Sequence, residues 1–526
     1  MDLLSLQRTR AIRTPPPAAR PQINGPRIVG VRPDSPFQYY IPVTGVRPIV
    51  LEVSELPSGL HFNPKTATIQ GRTSEPGHHK VVITGRNVEG QHTRELTIVV
   101  GDGLALTPTM GWSSWNCFNA KIDQELILNQ AQAMVTTGLI DHGWTYINID
   151  DGWQGGRDAD GRIQGGANFP DLRALGDAIH GLGLKFGIYS SPGPKTCAGF
   201  EGSFRHEAQD AQSYAEWGVD FLKHDWCTAQ ILARVRRLGG YTALLPDRER
   251  AEVAALGVEI DTLKAAGISD QDSEFKNLLE RRLAIVLKQT TASERLPIDL
   301  AIEQAPYRLM GEALRRQGRD IVYNLCNYGQ WNVWQWGPQV HAHSWRTTGD
   351  ILDSWESVEK IGFSQNGLEV WSAPGRWNDP DMLEIGNQNL TPDECFTHMT
   401  LWCILAAPLL IGCDLTSMDA FTLSVFSNDE VLAINQDPLG RQGNRVFLRG
   451  QIEVWRKPLM DGMTAIAVFN RGEEVADVDI AWADLHLNDQ VSIRDCWRQR
   501  DLPQLAAGLK TRVQAHSAEL FRVGKS

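Results

Sequence analysis

The stretch GVDFLKHDWC, residues 218–227, places a lysine, a histidine and an aspartate directly after a short apolar run. The run at residues 219–222 follows a helix-like segment, and this pattern predicts one strand of a parallel sheet. In α/β barrels, catalytic residues lie at the C-terminal ends of the strands. Lys223 and Asp225 are therefore candidate catalytic residues, provided that other strands of the chain end in the same way.

From Pro108 onward, short apolar strands alternate with amphipathic helices. The strand-like runs include YINIDD (146–151), KFGIYSS (185–191), VDFLKHD (219–225), DIVYNLC (320–326) and SWRTTGD (344–350). Repeated βα units over this length predict a parallel sheet, most simply a (β/α)8 TIM barrel. A doubly wound sheet is the alternative, but it normally carries a Gly-rich phosphate turn after its first strand, and the sequence has none.

The length of 526 residues predicts two or three domains. Residues 1–22 are Pro-rich toward their end and predict an extended tether, whereas residues 23–103 have the texture of a small β-sandwich. We expect the catalytic barrel to cover residues 104–440. Strand patterns return after it, so we expect a C-terminal antiparallel β domain over residues 441–526.

Residues 228–305 interrupt the βα rhythm with charged, helical sequence. One helical face carries the apolar residues Phe275, Leu278, Leu279, Leu283, Val286 and Leu287. Because the segment directly follows the Asp225 strand, it is an enlarged βα loop on the catalytic face of the predicted barrel. We expect a helical lid or a contact that forms a homo-oligomer.

Net charge and hydropathy exclude several classes of partner. The net charge of −12 argues against nucleic acid or an anionic membrane as partner. The longest apolar run, at residues 401–413, is broken by Pro408 and too short for a membrane span. The chain shows no leader, so at face value it is cytoplasmic; it is periplasmic or secreted if a leader has been removed.

Polar and aromatic side chains end several predicted strands. They are Trp115, Asp150, Asp151, Tyr189, Lys223, Asp225, Asn327, Arg346 and Asp350. This set suits a neutral polyhydroxylated ligand, because carboxylates accept from hydroxyls, Lys and Arg donate to them, and Trp covers the apolar face of a sugar. Two carboxylates suffice for glycosidic cleavage. Lys223 points to the same side of its strand as Asp225 and would keep that carboxylate ionised.

Several long motifs carry a family resemblance. They are TPTMGWSSWNCF, YINIDDGWQ, GIYSSPGPKTCAGFEGSF, KHDWC, SWRTTGD, GRWNDPDMLEIGN and AINQDPLG. Over about residues 104–523, apart from the insertion, the chain resembles glycoside hydrolase family 27, the α-galactosidase and α-N-acetylgalactosaminidase family. The N-terminal stretch resembles the immunoglobulin-like module that precedes such bacterial enzymes.

The resemblance implies retaining hydrolysis of terminal α-D-galactosyl residues on a barrel that needs no metal or cofactor. It implies Asp225 as nucleophile and Asp350 as acid/base. It also implies sugar contacts for Trp115, Asp150, Asp151, Tyr189, Lys223 and Arg346, and a disulfide between Cys197 and Cys227. The expected partner is a galactose-containing oligosaccharide or glycoconjugate.

The chain departs from the family pattern in one loop. Asn327-Tyr328 follows Cys326 where well-known α-galactosidases carry Glu-Trp, and Gln330-Trp331 stands where N-acetylgalactosaminidases carry small residues. Cys326 also lacks the family's cysteine partner and is predicted to be a free thiol. We expect Asn327 to contact the sugar 2-hydroxyl and an α-galactosidase to result. The alternatives on the same site are an α-N-acetylgalactosaminidase and a β-L-arabinopyranosidase.

Two further readings of the site differ in class. The HAH sequence at residues 341–343, together with His224, is compatible with a metal-dependent hydrolase of the amidohydrolase type. Against it, His341 and His343 precede the polar end of their strand. A catalytically inactive sugar-binding protein is the third reading, and the presence of both carboxylates argues against it.

Overall fold

The computed structural model describes residues 8–265, 273–487, 491–503 and 508–524. Eight parallel strands form the central sheet: β1 (Met110–Ser113), β2 (Tyr146–Asn148), β3 (Lys185–Ser190), β4 (Phe221–Asp225), β5 (Val322–Cys326), β6 (Ser344–Arg346), β7 (Trp377–Asp379) and β8 (Leu409–Ile411). β8 pairs with β1, and Leu383, just after β7, bridges to Ile411 of β8. The sheet therefore closes into the predicted barrel.

Helices connect the strands on the outside of the barrel. They are Trp115–Phe118, Gln124–Thr136, Leu172–Gly181, Glu207–Glu216, Ala229–Thr242, Asp247–Ala265, Ser273–Gln289, Ala292–Arg315, Trp355–Phe363, Pro392–Ile404, Ala420–Phe426 and Asp429–Asn435. Between β5 and β6 the chain forms only two short 3-10 turns, Gln330–Gln335 and Gly337–Val340. No helix in the described part of the chain has the length and apolar character needed to cross a membrane.

The two ends of the barrel interior differ in character. Tyr146, Phe221 and Val322, each at the start of a strand, form an apolar cluster at the N-terminal end. The C-terminal end is lined by charged and aromatic side chains instead. The N-terminal end of the barrel is therefore a packed core, and the C-terminal end is the candidate active site.

The N-terminal module closes the bottom of the barrel. It consists of a four-stranded sheet (Ile28–Val31, Gly90–Val100, Gly77–Asn87, Val50–Val53), a three-stranded sheet (Phe37–Tyr40, Thr68–Gly71, Leu60–Asn63) and the pair Gln22–Ile23 and Val43–Thr44. Arg32 pairs with Asp320 at 2.5 Å, and Gln38 donates to the carbonyls of His180 and Leu184. These barrel residues precede β5 and β3, so the module lies opposite the strand ends that carry Asp225.

The segment predicted as a tether is docked where the structure describes it. Arg13 donates to the carbonyl of Ala518 at 2.9 Å and to Asp393 at 3.0 Å, and its guanidinium lies 3.9 Å from the centre of the Phe396 ring. Thr14 donates to the carbonyl of Ser424. The arm thus joins the barrel helices to the C-terminal domain rather than acting as a free spacer.

The C-terminal domain is antiparallel, as predicted. Its main sheet contains Asn444–Arg449, Ile452–Pro458, Thr464–Asn470, Ala518–Gly524, Ser492–Asp495 and Arg500–Leu502, and a second sheet pairs Ala476–Ala481 with Gly508–Val513. Phe363 of the barrel packs edge-on against Phe469, and Phe396 packs against Trp497. The domain is therefore fixed to the barrel by aromatic contacts.

The insertion after β4 covers its own apolar face. Phe275, Leu278 and Leu279 pack against Leu256 and Ile260 of the preceding helix, in one buried cluster. No described residue between 228 and 305 is among those that line the cavity at the top of the barrel. The described part of the insertion is therefore a helical hairpin beside the barrel, and the expectation of a lid over the cavity is wrong for it.

Candidate active site

The end of β4 carries a buried carboxylate held on both oxygens. Asp225 is 5% exposed, and it accepts a hydrogen bond from Tyr189 on Oδ2 at 3.0 Å and from Tyr328 on Oδ1 at 2.7 Å. Burial raises the pKa of the Asp225 carboxyl, and the Lys223 ammonium and the two phenols offset only part of that rise. The role foreseen for Lys223, to favour the charged form of Asp225, agrees with this environment.

The end of β2 supplies two further carboxylates. Asp150 accepts from the Lys223 ammonium at 2.8 Å. Although burial opposes its charge, Lys223 has a raised pKa because of that carboxylate. Asp151 accepts from the backbone N–H of Ala198 at 2.8 Å, and burial raises its pKa to about 6. Asp150 lines the cavity, whereas Asp151 lies buried beside it.

The ends of β6 and β7 form an ionic triad. Arg346 is 2% exposed and pairs with Asp381 at 2.9 Å and with Asp350 at 3.1 Å. Burial opposes the charge of Arg346, but the carboxylates, Asp381 foremost, raise its pKa. The side chain of Asp350 is 63% exposed, in contrast to Asp225. Of the two carboxylates predicted to carry out the chemistry, Asp225 is thus buried and Asp350 faces solvent.

These groups share one cavity of about 720 Å³ at the C-terminal end of the barrel. Trp115, which opens the helix after β1, and Tyr189 of β3 line it together with the charged residues above. Of the predicted site residues, the cavity brings together Trp115, Asp150, Tyr189, Lys223, Asp225, Arg346 and Asp350. The sequence therefore located most of the site.

The predicted disulfide between Cys197 and Cys227 is present. Cys197 Sγ lies 3.9 Å from Asp225 Oδ2, and the Tyr189 hydroxyl lies 3.1 Å from Cys227 Sγ. The bridge thus joins the loop after β3 to the end of β4, next to the buried carboxylate. Cys326 is buried and unpaired, as predicted.

The expectation that Asn327 contacts the sugar is wrong. Its side chain is fully buried, and its amide donates to the carbonyl of Gln330 at 3.2 Å, which closes the loop after β5. Tyr328, the next residue, faces the cavity instead. Gln330 and Trp331 are not among the lining residues either. Of the residues in this loop that differ from the family pattern, Tyr328 is therefore the one that contacts the cavity.

Sequence reasoning did not assign Tyr328, Asp381 or Glu384, which all line the cavity. Glu384 accepts from Asn116 and, at 2.6 Å, from Asn387, and burial raises its pKa to about 7. The signal for two of them was present, since Asp381 and Glu384 belong to the polar motif that follows β7.

The histidines that the metal-dependent alternative would need make hydrogen bonds away from the cavity. The ring of His224 lies 2.9 Å from the Tyr323 hydroxyl, and His343 accepts from the Tyr323 backbone N–H at 3.0 Å. Burial lowers the pKa of both, to about 3 and about 4. Lys223 and Asp225 point into the barrel while His224 points to its helices, so these histidines do not meet the carboxylates.

An eight-stranded parallel barrel with acidic groups and a Trp side chain around a cavity at the C-terminal strand ends suits a glycoside hydrolase. Family comparison specifies which one. The family model for alpha galactosidase A matches residues 107–248 and 297–437, that for its C-terminal beta sandwich domain matches residues 449–523, and an Ig domain model matches residues 20–101. The chain belongs to the α-galactosidase family, glycoside hydrolase family 27.

Individual relatives agree with this assignment. Alpha-galactosidase 2 of Arabidopsis thaliana is 37% identical over 430 residues, which cover 81% of this chain and 91% of that protein. A Bacteroides fragilis structure described as a candidate α-galactosidase/melibiase covers 98% of this chain and all of its own, with TM-score 0.81 and 33% identity. The Saccharomyces cerevisiae α-galactosidase, solved with raffinose, is 26% identical with TM-score 0.63 and covers 81% of this chain and 99% of its own.

Proposed function

We propose that this protein hydrolyses terminal α-D-galactosyl residues with retention of configuration, with Asp225 as nucleophile and Asp350 as acid/base. The contrast between the two carboxylates carries the proposal. Asp225 is buried next to the Lys223 ammonium, as suits a group that must stay ionised and attack. Asp350 is solvent-exposed, as suits a group that exchanges protons with water.

The proposed reaction has two displacements. In the first, an Asp225 oxygen bonds to the anomeric carbon, the bond to the leaving-group oxygen breaks with its electron pair, and Asp350 gives its proton to that oxygen. In the second, Asp350 takes a proton from water, the water oxygen bonds to the anomeric carbon, and Asp225 leaves as a carboxylate. The two carboxyl groups need to stand about 5–5.5 Å apart for this course.

Recognition of the galactose ring is assigned to the groups beside Asp225. Asp150 and Lys223 form an acceptor and donor pair on the wall of the cavity, where both can bond sugar hydroxyls. Asp151 lies buried beside the cavity and supports this pair from behind. The raffinose held by the yeast relative supports a galactose-containing oligosaccharide as substrate.

The two assigned roles predict opposite products with azide. Asp225→Gly should lose turnover of p-nitrophenyl α-galactoside, and azide should restore it by attacking from the vacated face, which gives the β-galactosyl azide. Asp350→Ala still forms the β-linked enzyme intermediate, and azide should displace it to give the α-galactosyl azide. Product NMR distinguishes the two anomers.

Wild-type product analysis provides the control, since the first sugar formed should be the α anomer. An inverted wild-type product would reject the double displacement. Exchanged azide anomers would reject the assignment of roles. Absence of wild-type turnover on α-galactosides, with turnover on the N-acetylgalactosaminide or β-L-arabinopyranoside, would favour those alternatives.

A further inference from the structure

We propose, on the basis of the function proposed above, that Tyr328 is a catalytic residue that holds the nucleophile in its attacking orientation. Its phenol oxygen lies 2.7 Å from Asp225 Oδ1 while Tyr189 holds Oδ2 at 3.0 Å. The position lies in the loop where the chain departs from the family's Glu-Trp sequence. The departure therefore supplies a phenol donor to the reacting carboxylate.

Two hydrogen-bond donors fix the orientation of the Asp225 carboxylate, which a single donor does not. A carboxylate held on one oxygen can still turn about its Cβ–Cγ bond, whereas bonds to both oxygens fix its plane. Hydrogen bonds to an ionised group are also stronger than neutral ones, and they favour the charged form. Tyr328 thus contributes both to the geometry and to the ionisation of Asp225.

The loop holds Tyr328 in an unusual backbone conformation. Its φ is 60°, in the left-handed region that a tyrosine seldom adopts. The next residue, Gly329, donates its N–H to the carbonyl of Arg346 at 3.0 Å, and a Cβ there would lie 2.1 Å from the carbonyl oxygen of Thr347. The Arg346 guanidinium lies 5.8 Å from the Tyr328 ring centre. Strain at such a position marks a functional constraint.

A buried ionic cluster stands behind this loop. Arg237, in the helix after β4, pairs with Glu303 at 2.7 Å and with Asp299 at 3.3 Å, and its guanidinium lies 5.1 Å from the ring of Trp331. Glu303 is fully buried, and the Asn327 side chain interacts with it. Asn327 and Trp331 flank Tyr328, so we assign Arg237 as a positioning residue for the loop.

Tyr328→Phe tests the proposal, because it removes one oxygen and keeps the ring. Tyr307→Phe is the matched control, since Tyr307 is also buried and its hydroxyl has no hydrogen-bond partner in the described structure. We expect Tyr328→Phe to lower kcat/KM on p-nitrophenyl α-galactoside about 10- to 100-fold. Loss of the donor raises the pKa of Asp225, so the acidic limb of the pH profile should move up by about one unit.

Arg237→Met tests the positioning role against Arg236→Met, an exposed neighbour that lies over the Phe204 ring. We expect Arg237→Met to lower kcat more than it changes KM and to move the acidic limb upward, and Arg236→Met to do neither. Thermal unfolding checks that each variant folds. An active wild type with an unchanged Tyr328→Phe profile overturns the catalytic role, and an unchanged Arg237→Met profile overturns the positioning role. An inactive wild type overturns the proposed function instead.

Discussion

At the scale of single residues, we expect the loop after β5 to set the preference of the site at the sugar 2-position. The Asn327 side chain points away from the cavity and closes the loop. The Tyr328 side chain points into the cavity, where its ring lies beside Asp225 and Arg346. The Tyr328 ring occupies part of the cavity wall that small residues would leave open. We therefore expect a 2-hydroxyl to be favoured over a 2-acetamido group.

The resulting preference can be measured. We expect kcat/KM for p-nitrophenyl α-galactoside to exceed that for the α-N-acetylgalactosaminide by about 10-fold or more, since steric rejection of this kind is worth about 1–3 kcal/mol. Gln330→Ala serves as the control and should leave the ratio unchanged, because Gln330 is exposed and outside the cavity lining. A higher value for the acetamido sugar would contradict the prediction.

The sequence predicted some residues of this site better than others for a physical reason. Within β4, side chains alternate strictly, so Lys223 and Asp225 had to face the same side. The loop after β5 has no such period. The expectation for Asn327 came from the family correspondence, whereas the register of β5, with Cys326 beside Asp225, directs Tyr328 rather than Asn327 to the inside of the barrel. Asp381 was missed because its partner, Arg346, is distant in sequence.

At the scale of elements, the hairpin after β4 covers most of the apolar stripe from which the sequence predicted a lid or an oligomer contact. Phe275, Leu278 and Leu279 pack against the helix Asp247–Ala265. Val286 packs against Tyr241 and Leu245, while Leu287 is 49% exposed. Helical periodicity showed that the stripe needed a cover but not which surface would provide it. The homo-oligomer stays a prediction, now without the support of an uncovered stripe.

Replacing residues 249–289 with a short Gly/Ser linker should leave the active site intact. We expect kcat/KM on both p-nitrophenyl α-galactoside and raffinose to stay within about twofold, as for surface changes remote from a site. Light scattering on the same samples reports the oligomer mass. A loss of kcat/KM confined to raffinose would show that the hairpin acts as a lid. A fall in oligomer mass would show that it forms the oligomer contact.

At the scale of the whole molecule, the N-terminal module and the active site lie at opposite ends of the barrel. Arg32 fastens the module by pairing with Asp320 and donating to the carbonyls of residues 315, 317 and 319. These carbonyls lie at the end of the helix Ala292–Arg315 and in the turn before β5. We therefore expect the module to act on stability and not on the chemistry.

Arg32→Ala should lower the free energy of unfolding by about 2–4 kcal/mol, because it removes the cation from the part-buried Asp320 carboxylate, which keeps only the donors Ser35 and the backbone N–H of residue 32, and leaves three carbonyls without this donor. The kcat/KM on α-galactosides should not change. Arg86→Ala is the control, since its pair with Glu52 is exposed and worth at most about 1 kcal/mol. Chemical denaturation measures both, and an equal effect of the two substitutions would contradict the role of Arg32.

The docked N-terminal arm has a consequence for biosynthesis. Arg13 is synthesised 505 residues before its acceptor at Ala518. At about 5–20 residues per second, the arm waits about 25–100 s for that partner. A nascent chain cut short before the last strand leaves the arginine without this acceptor. The contacts of the arm with Asp393 and Ser424 can form earlier, so only the completion of its docking waits for the strand Ala518–Gly524.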